Sequence, residues 1–330
     1  MKIAIVKLSA LGDIVHAMVA LQFIKAFDEN IQIDWIVEQG FAEILRHNPD
    51  IHQILTVNLK TLKKNKMGLW AEIKKVRAFA ENDYDLVIDA QGLLKSAITA
   101  KLIGHNVVGF DKYSIREKVA CYLYTKKVHY PYNLNTIDRH AALLSEPLEF
   151  KINTQQIHNK KPFLYYSDTQ KINNYLSHTS KNILLVIGSS KERKNYPKEK
   201  FLQVANELKQ NALLVWGNPA EKEKAQWIAN HSNYTQVLPQ LNLNELKALI
   251  ARSDLTIGND TGPSHMAWGL NKPSITLFGC TPSSLAYQTD INKVIKSGSV
   301  INPYKLNKQD FSIQDIEVQE VVNIARGLLK

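Results

Sequence analysis

Short apolar runs alternate along the chain with longer stretches whose apolar residues recur at helical spacing, a pattern that predicts βαβ units built into parallel sheets. In the first half the runs predict strands at 3–8, 32–37, 53–57, 85–89 and 107–109. The intervals read as helices: 14–27 puts Ile14, Met18, Leu21 and Ile24 on one face, and 70–80 groups Ile73, Val76, Phe79 and Ala80. From about 150 to 180 the pattern decays into Gln, Asn, Lys and Ser broken by Pro162, then starts afresh with strands at 183–187, 212–216, 235–238, 255–257 and 274–278. Residues 313–329 return to helical spacing, with Ile316, Val318, Val321, Val322 and Ile324 apolar.

This pattern predicts an α/β protein of two Rossmann-like domains, 1–160 and 161–312, and a C-terminal helix at 313–330 that could cap either lobe, the first domain being one candidate. The length of 330 residues suits two domains of ordinary size. With 45% hydrophobic and 22% charged residues, the chain is neither disordered nor of low complexity. Two cysteines, Cys121 and Cys280, with no CxxC pair exclude a disulfide framework and a thiolate zinc site, and fit a reducing compartment. The apolar start is interrupted by Lys7, Asp13 and His16, and no run is long enough to span a membrane. The expectation is a cytosolic protein with at most peripheral membrane contact.

Forty-one Lys and Arg against 31 Asp and Glu, a formal charge of +10, point to anionic partners without choosing among them. Basic residues gather at Lys60, Lys63, Lys64 and Lys66, at Lys74, Lys75 and Arg77, and at Lys112, Arg116, Lys118, Lys126 and Lys127.

Four turns after predicted strands carry candidate chemistry, because the carboxyl ends of strands in an open α/β sheet face the ligand crevice. In Lys7-Leu8-Ser9-Ala10-Leu11-Gly12-Asp13, Gly12 permits a tight turn, and Asp13 either caps the following helix or projects as a general base. Around Asp260-Thr261-Gly262-Pro263-Ser264-His265 a strand runs into a helix N-terminus, which is either an ordinary capped turn or a phosphate site. The loop Gly188 to Pro197, with Ser189 and Lys194, is either a solvated charged loop or the group that neutralises a departing diphosphate. Glu221, after Trp216-Gly217, stands where an acidic side chain could hold ribose hydroxyls. No P-loop and no GxGxxG occurs, and the Asp83-Tyr84-Asp85 triplet precedes its strand and reads as a solvated turn. A basic nucleic-acid-binding protein would use the same lysine excess, yet no recognised nucleic-acid motif is present and the aromatics are not interleaved with the basic runs.

The segments KLSALGDIVH, DWIVEQGFAEI, YDLVIDAQGLLKSA and GNDTGPSHMA together resemble the lipopolysaccharide heptosyltransferases, the ADP-heptose glycosyltransferases of the GT-B fold, over nearly the whole chain. The resemblance implies two Rossmann-like lobes facing a cleft and an inverting transfer of L-glycero-D-manno-heptose from ADP-heptose to 3-deoxy-manno-oct-2-ulosonic acid (Kdo) of Kdo-lipid A. Within the family, DAQGLLKSA favours members acting on Kdo itself over those whose acceptor already carries a heptose. Carried over by position, Asp13 matches the general base, and Lys194 the lysine at the donor phosphates, where it shares in catalysis. Ser189, Glu221, Asp260, Thr261, Gly262 and His265 complete the donor set. Ser9, Gly12, Lys60, Lys63, Lys64 and Arg116 form the acceptor set, in lysines where the family carries mainly arginines, so point charges replace bidentate recognition. The resemblance further implies no cofactor, no metal, no nucleic acid, a monomer, and peripheral contact with the cytoplasmic face of the inner membrane.

Overall fold

The computed structural model describes residues 1–59 and 68–330, which divide into two compact units, Met1–Tyr165 and Tyr166–Lys330. The first holds β1 (Lys2–Val6), β2 (Gln32–Glu38), β3 (Gln53–Val57), β4 (Leu86–Asp89), β5 (Val107–Phe110) and β6 (Lys126–Val128), in the sheet order β3-β2-β1-β4-β5-β6. The second holds β7 (Asn182–Val186), β8 (Asn211–Val215), β9 (Thr235–Val237), β10 (Leu255–Asn259), β11 (Ser274–Phe278) and β12 (Asn292–Lys296), in the order β12-β11-β10-β7-β8-β9. All ladders are parallel, and each sheet has the strand order of a Rossmann fold.

The topological switch therefore falls between β1 and β4 in one unit and between β7 and β10 in the other. Register keeps the strand ends level there: Val6 pairs with Asp89, and Val186 with Gly258. The central strands are buried on both faces, which is why they read as continuous apolar runs.

Ten of the twelve strands lie where the apolar runs put them, within a residue or two at each end. The two additional ones, β6 (KKV) and β12 (NKVIK), are polar edge strands whose lysines suit an open edge and hide the strand from a hydrophobicity count. The helix expected over 14–27 is two helices, Leu11–Met18 and Leu21–Phe27. The unit boundary falls at Tyr165 and Tyr166, so 161–165 belong to the first unit, not the second.

Of the two lobes open to it, the C-terminal helix Val318–Leu328 packs on the second, against the helix Lys198–Leu208, and not on the first-domain candidate. Val321, Val322 and Ala325 join Phe201, Val204 and Ala205 in one core, and Tyr196 Oη and Lys200 Nζ both donate to the Ile316 carbonyl, at 3.1 and 2.8 Å. Amphipathic spacing says that a helix has a buried face, not which neighbour covers it.

Candidate donor and acceptor sites

In the second unit the loops after β7, β8 and β10 emerge side by side. Asn259, the last residue of β10, is fully buried; its Nδ2 donates to the Ile187 carbonyl (3.0 Å) and its Oδ1 accepts from Tyr196 N–H (2.8 Å), tying the lysine loop to the neighbouring strand. Asp260, one residue on, takes the Lys194 ammonium (2.6 Å) and the Thr281 hydroxyl (2.8 Å) on Oδ2, and faces His265 Nε2 at 3.0 Å through Oδ1. Burial alone would raise the pKa of Asp260. The His265 hydrogen bond and the Lys194 charge outweigh it and hold the carboxyl well below the ordinary carboxylate range.

The helix Gly262–Gly269 starts here, with Pro263 in its first turn and no acidic residue there. Thr261 sits at the N-cap without its hydroxyl bonding the helix; Pro263 has no N–H and the Ser264 amide donates to the Thr261 carbonyl (3.1 Å), so the helix start offers the Gly262 amide and the positive end of its dipole next to Asp260, which holds Lys194.

Glu221 lies on the helix Pro219–Ala229, whose N-cap Asn218 accepts from its amide (3.1 Å), and its Oε2 accepts from Gly217 N–H at 2.7 Å. Its carboxyl carbon stands 2.1 Å from where a β-carbon on Gly188 would be, so bare backbone at 188 is what lets Glu221 reach across the β7 loop. Ser189, by contrast, turns into its own loop: its single hydroxyl hydrogen is shared between two acceptors, Asn195 Oδ1 at 2.7 Å and the Lys191 carbonyl at 2.9 Å. Lys194, Asp260, His265, Thr261 and Gly262 thus come together, Glu221 stands on the adjoining loop, and Ser189 supports the loop from within.

In the first unit Asp13 is the third residue of the helix Leu11–Met18, where its Oδ2 accepts from the Ala10 amide at 3.1 Å. It caps the helix and is half-buried, so the capping reading holds geometrically and leaves a carboxylate at the carboxyl edge of the sheet. Ser9 shares this loop: its amide and that of Leu8 both donate to Gln91 Oε1, at 2.9 and 3.1 Å. His16 is buried on the inner face of the same helix.

Residues without an assigned role in the sequence hold this loop. Lys7 is buried, donating from Nζ to the Ala90 carbonyl (2.9 Å) and to His140 Nε2 (3.1 Å), while the Trp35 indole donates to its carbonyl (3.2 Å). Burial lowers the Lys7 pKa, and the charges of Asp13 and Asp89 act in the opposite sense. His140 is held well below its usual value by burial and by Lys7, which keeps it neutral as an acceptor.

Asp89 is buried and accepts from the amides of Gln91 (2.9 Å) and Gly92 (3.2 Å), Ser96 Oγ (3.0 Å) and Tyr124 Oη (2.7 Å). Gly92, at φ +70°, makes the turn that presents Gln91 to the Asp13 loop. The signal for these residues was the DAQG run itself, an acid and an amide at the end of a buried strand.

Arg116 is exposed beyond β5, and Lys60, Lys63 and Lys64 lie outside the described residues. Asp83 and Asp85 sit at the amino edge of the sheet, where Asp85 Oδ2 accepts from the Lys2 amide (2.7 Å), consistent with a structural turn. Among the described residues no group of three His, Cys, Asp or Glu is placed to hold a metal ion, and no helix is long and apolar enough to cross a membrane.

Two Rossmann-type units, one with a carboxylate at the carboxyl edge of its sheet and the other with a lysine and a helix start at its own, have the topology on which nucleotide-binding proteins are built, and the comparisons with known proteins give the class. Residues 73–310 match the family model described as glycosyltransferase family 9 (heptosyltransferase). The chain is 38% identical to lipopolysaccharide heptosyltransferase 1 of Campylobacter coli, covering 99% of both chains, and 29% identical to that of Escherichia coli K12, covering 94% of this chain and 97% of the relative. The solved structure of E. coli heptosyltransferase WaaC with ADP-2-deoxy-2-fluoro heptose superposes with a TM-score of 0.80 over 99% of both chains at 24% identity, a likeness of fold. The protein belongs to glycosyltransferase family 9, the heptosyltransferases.

Proposed function

We propose that the protein transfers L-glycero-D-manno-heptose from ADP-heptose to Kdo of Kdo-lipid A, with inversion at the anomeric carbon. The observation that carries this reading is the Lys194–Asp260–His265 network at the start of the helix Gly262–Gly269. Support comes from the 38% identical type 1 relative over the full chain and from the ADP-heptose analogue bound by the E. coli neighbour.

The second unit binds the donor. The Gly262 amide, the helix dipole and Lys194, oriented by Asp260, receive the diphosphate, and Glu221 accepts from the ribose hydroxyls. The first unit supplies the base. As the Kdo hydroxyl oxygen forms its bond to the anomeric carbon on the face opposite ADP, Asp13 takes the hydroxyl proton. The anomeric C–O bond breaks, and ADP leaves with the electron pair into the field of Lys194 and the helix dipole. The basic residues Lys60, Lys63, Lys64 and Arg116 attract the acceptor's carboxylate and phosphates. In this reading the enzyme works as a monomer at the cytoplasmic face of the inner membrane.

The test is release of ADP from ADP-heptose in the presence of Kdo-lipid A, compared with the same acceptor already bearing one heptose. Turnover on the unheptosylated acceptor is expected. Turnover confined to the heptosylated acceptor would make this a later transferase of the same family.

A further inference from the structure

The charges assigned to the donor loops of the second unit nearly cancel. Lys194 is paired with the Asp260 carboxylate at 2.6 Å, and Glu221 on the adjoining loop adds a negative charge. A sugar diphosphate arrives as a dianion and gains further negative charge as its anomeric C–O bond breaks, so the groups that receive it need a net positive field. The residue beside Lys194 is placed to supply one.

Arg193 lies in the short turn Glu192–Lys194 that follows β7. In the sheet β10 stands between β7 and β11, and this turn reaches across the end of β10. Lys194 stops at Asp260, while Arg193 continues to the β11 loop, where its Nε donates to Cys280 Sγ at 3.1 Å. The next residue of that loop, Thr281, donates to the same Asp260 Oδ2 that holds Lys194. Two successive cations are thus fixed on one small cluster, the first through Cys280 and the second through Asp260. The β11 loop is itself held: a β-carbon at Gly279 would stand 2.8 Å from Ile313 N, so the strand end lies directly against the turn Ser312–Asp315, which also packs on the Arg193 turn.

A thiol is a weak hydrogen-bond acceptor, so Cys280 orients the guanidinium without satisfying it. Among the described residues no carboxylate forms an ion pair with Arg193, and its two terminal nitrogens have no hydrogen-bond partner. The acids nearby are engaged elsewhere. Glu192 takes Lys224 (2.7 Å) and Asn195 (3.0 Å), and Asp310 takes the Ser299 hydroxyl (2.6 Å) and the Ser312 amide (2.9 Å), sensing Arg193 only through its charge. A half-buried guanidinium with a free two-pronged face matches paired anionic oxygens, the pattern that a phosphate presents.

We propose that Arg193 is a second phosphate-binding residue of the donor site: its Nη1 and Nη2 take diphosphate oxygens while Nε stays on Cys280, and it, more than the Asp260-paired Lys194, supplies the net charge that stabilises departing ADP. The proposal rests on the reading of the second unit as the donor site. The test compares the full-length wild type with Arg193→Gln and Arg193→Lys in EDTA. ADP binding is read by calorimetry, adenosine binding by ligand-observed NMR, and turnover by ADP release from saturating ADP-heptose with Kdo-lipid A. Arg193→Gln should weaken ADP about tenfold or more and lower kcat by at least as much, with adenosine binding and melting temperature near wild type. Arg193→Lys, which keeps the charge and loses the fork, should fall between the two.

Arg193→Gln that binds ADP as wild type does, with unchanged kcat, overturns the proposal. Equal losses of ADP and adenosine affinity overturn it as well, because they reduce Arg193 to a support of its loop. If Arg193→Gln does not fold, Arg193→Lys carries the test: weakened ADP with unchanged adenosine is expected, and wild-type ADP affinity overturns the proposal. Wild type that binds no ADP overturns the donor reading along with it, whereas wild type and Arg193→Gln binding ADP equally overturn this proposal alone.

Discussion

The position of Asp13 is compatible both with its cap and with the base proposed for it. One carboxylate oxygen closes the Ala10 amide at 3.1 Å, fixing the side chain at the helix start, and a carboxylate so oriented can take a proton without searching for its rotamer. Asp13→Asn keeps an oxygen for the cap and removes the base, so folding and ADP affinity should stay near wild type. Turnover should fall by about two to four orders of magnitude in the ADP-release assay. Near-normal turnover would remove Asp13 from the mechanism. Asp260 is different, because its charge holds Lys194 and Thr281 in place. Asp260→Asn would leave Lys194 without its partner and should cost about 2–3 kcal/mol, less than for a fully dry pair because the Lys194 side chain remains 18% exposed. Since the folded carboxyl titrates below its unfolded value, its stabilisation is fully present above about pH 4 and is lost as pH falls through the lower folded value. The difference in melting temperature between wild type and variant should therefore be flat from pH 7 to 5 and close only in more acid solution; a gap that closes between pH 7 and 5 would trace it to a group other than the Asp260 carboxyl.

At the scale of elements, the loops matter through what they exclude. A β-carbon at 188 would meet the Glu221 carboxyl at 2.1 Å, so Gly188→Ala should push that carboxylate off the β7 loop while leaving the buried strands untouched. The expected result is a donor KM raised about tenfold, the size of one lost hydrogen bond to a charged group, with kcat little changed. An unchanged donor KM would separate Glu221 from nucleoside binding. The central strands were legible because both faces are buried, and the strand-to-helix turns because Gly, Pro and Asp have fixed uses there. What stayed hidden has a common cause. The edge strands β6 and β12 are too polar to stand out, and nothing in the single polar letters Lys7, Gln91 and His140 tells that they meet behind the Asp13 loop. Such contacts join residues more than eighty positions apart. Ser189 shows the converse, a residue in the right loop whose hydroxyl points into the loop's own backbone.

At the scale of the molecule, each unit has its own sheet and its own interior. The fragment Tyr166–Lys330 should fold alone and bind ADP by calorimetry to the same extent in EDTA as in magnesium, since Lys194 and the helix start at Gly262 lie within it. A strict magnesium requirement would overturn the assignment of the diphosphate to those groups. The helix Val318–Leu328 carries none of the assigned chemistry, yet Val321, Val322 and Ala325 lie in the same core as Leu185 and Ile257, the strand residues behind the donor loops. This has a genetic meaning. A frameshift after codon 312 would leave every donor residue encoded and still erase the protein, because the second unit would be short of its interior. Alleles in this tail should therefore act through abundance, not through turnover per folded molecule, and would behave in a cell like a deletion of the gene.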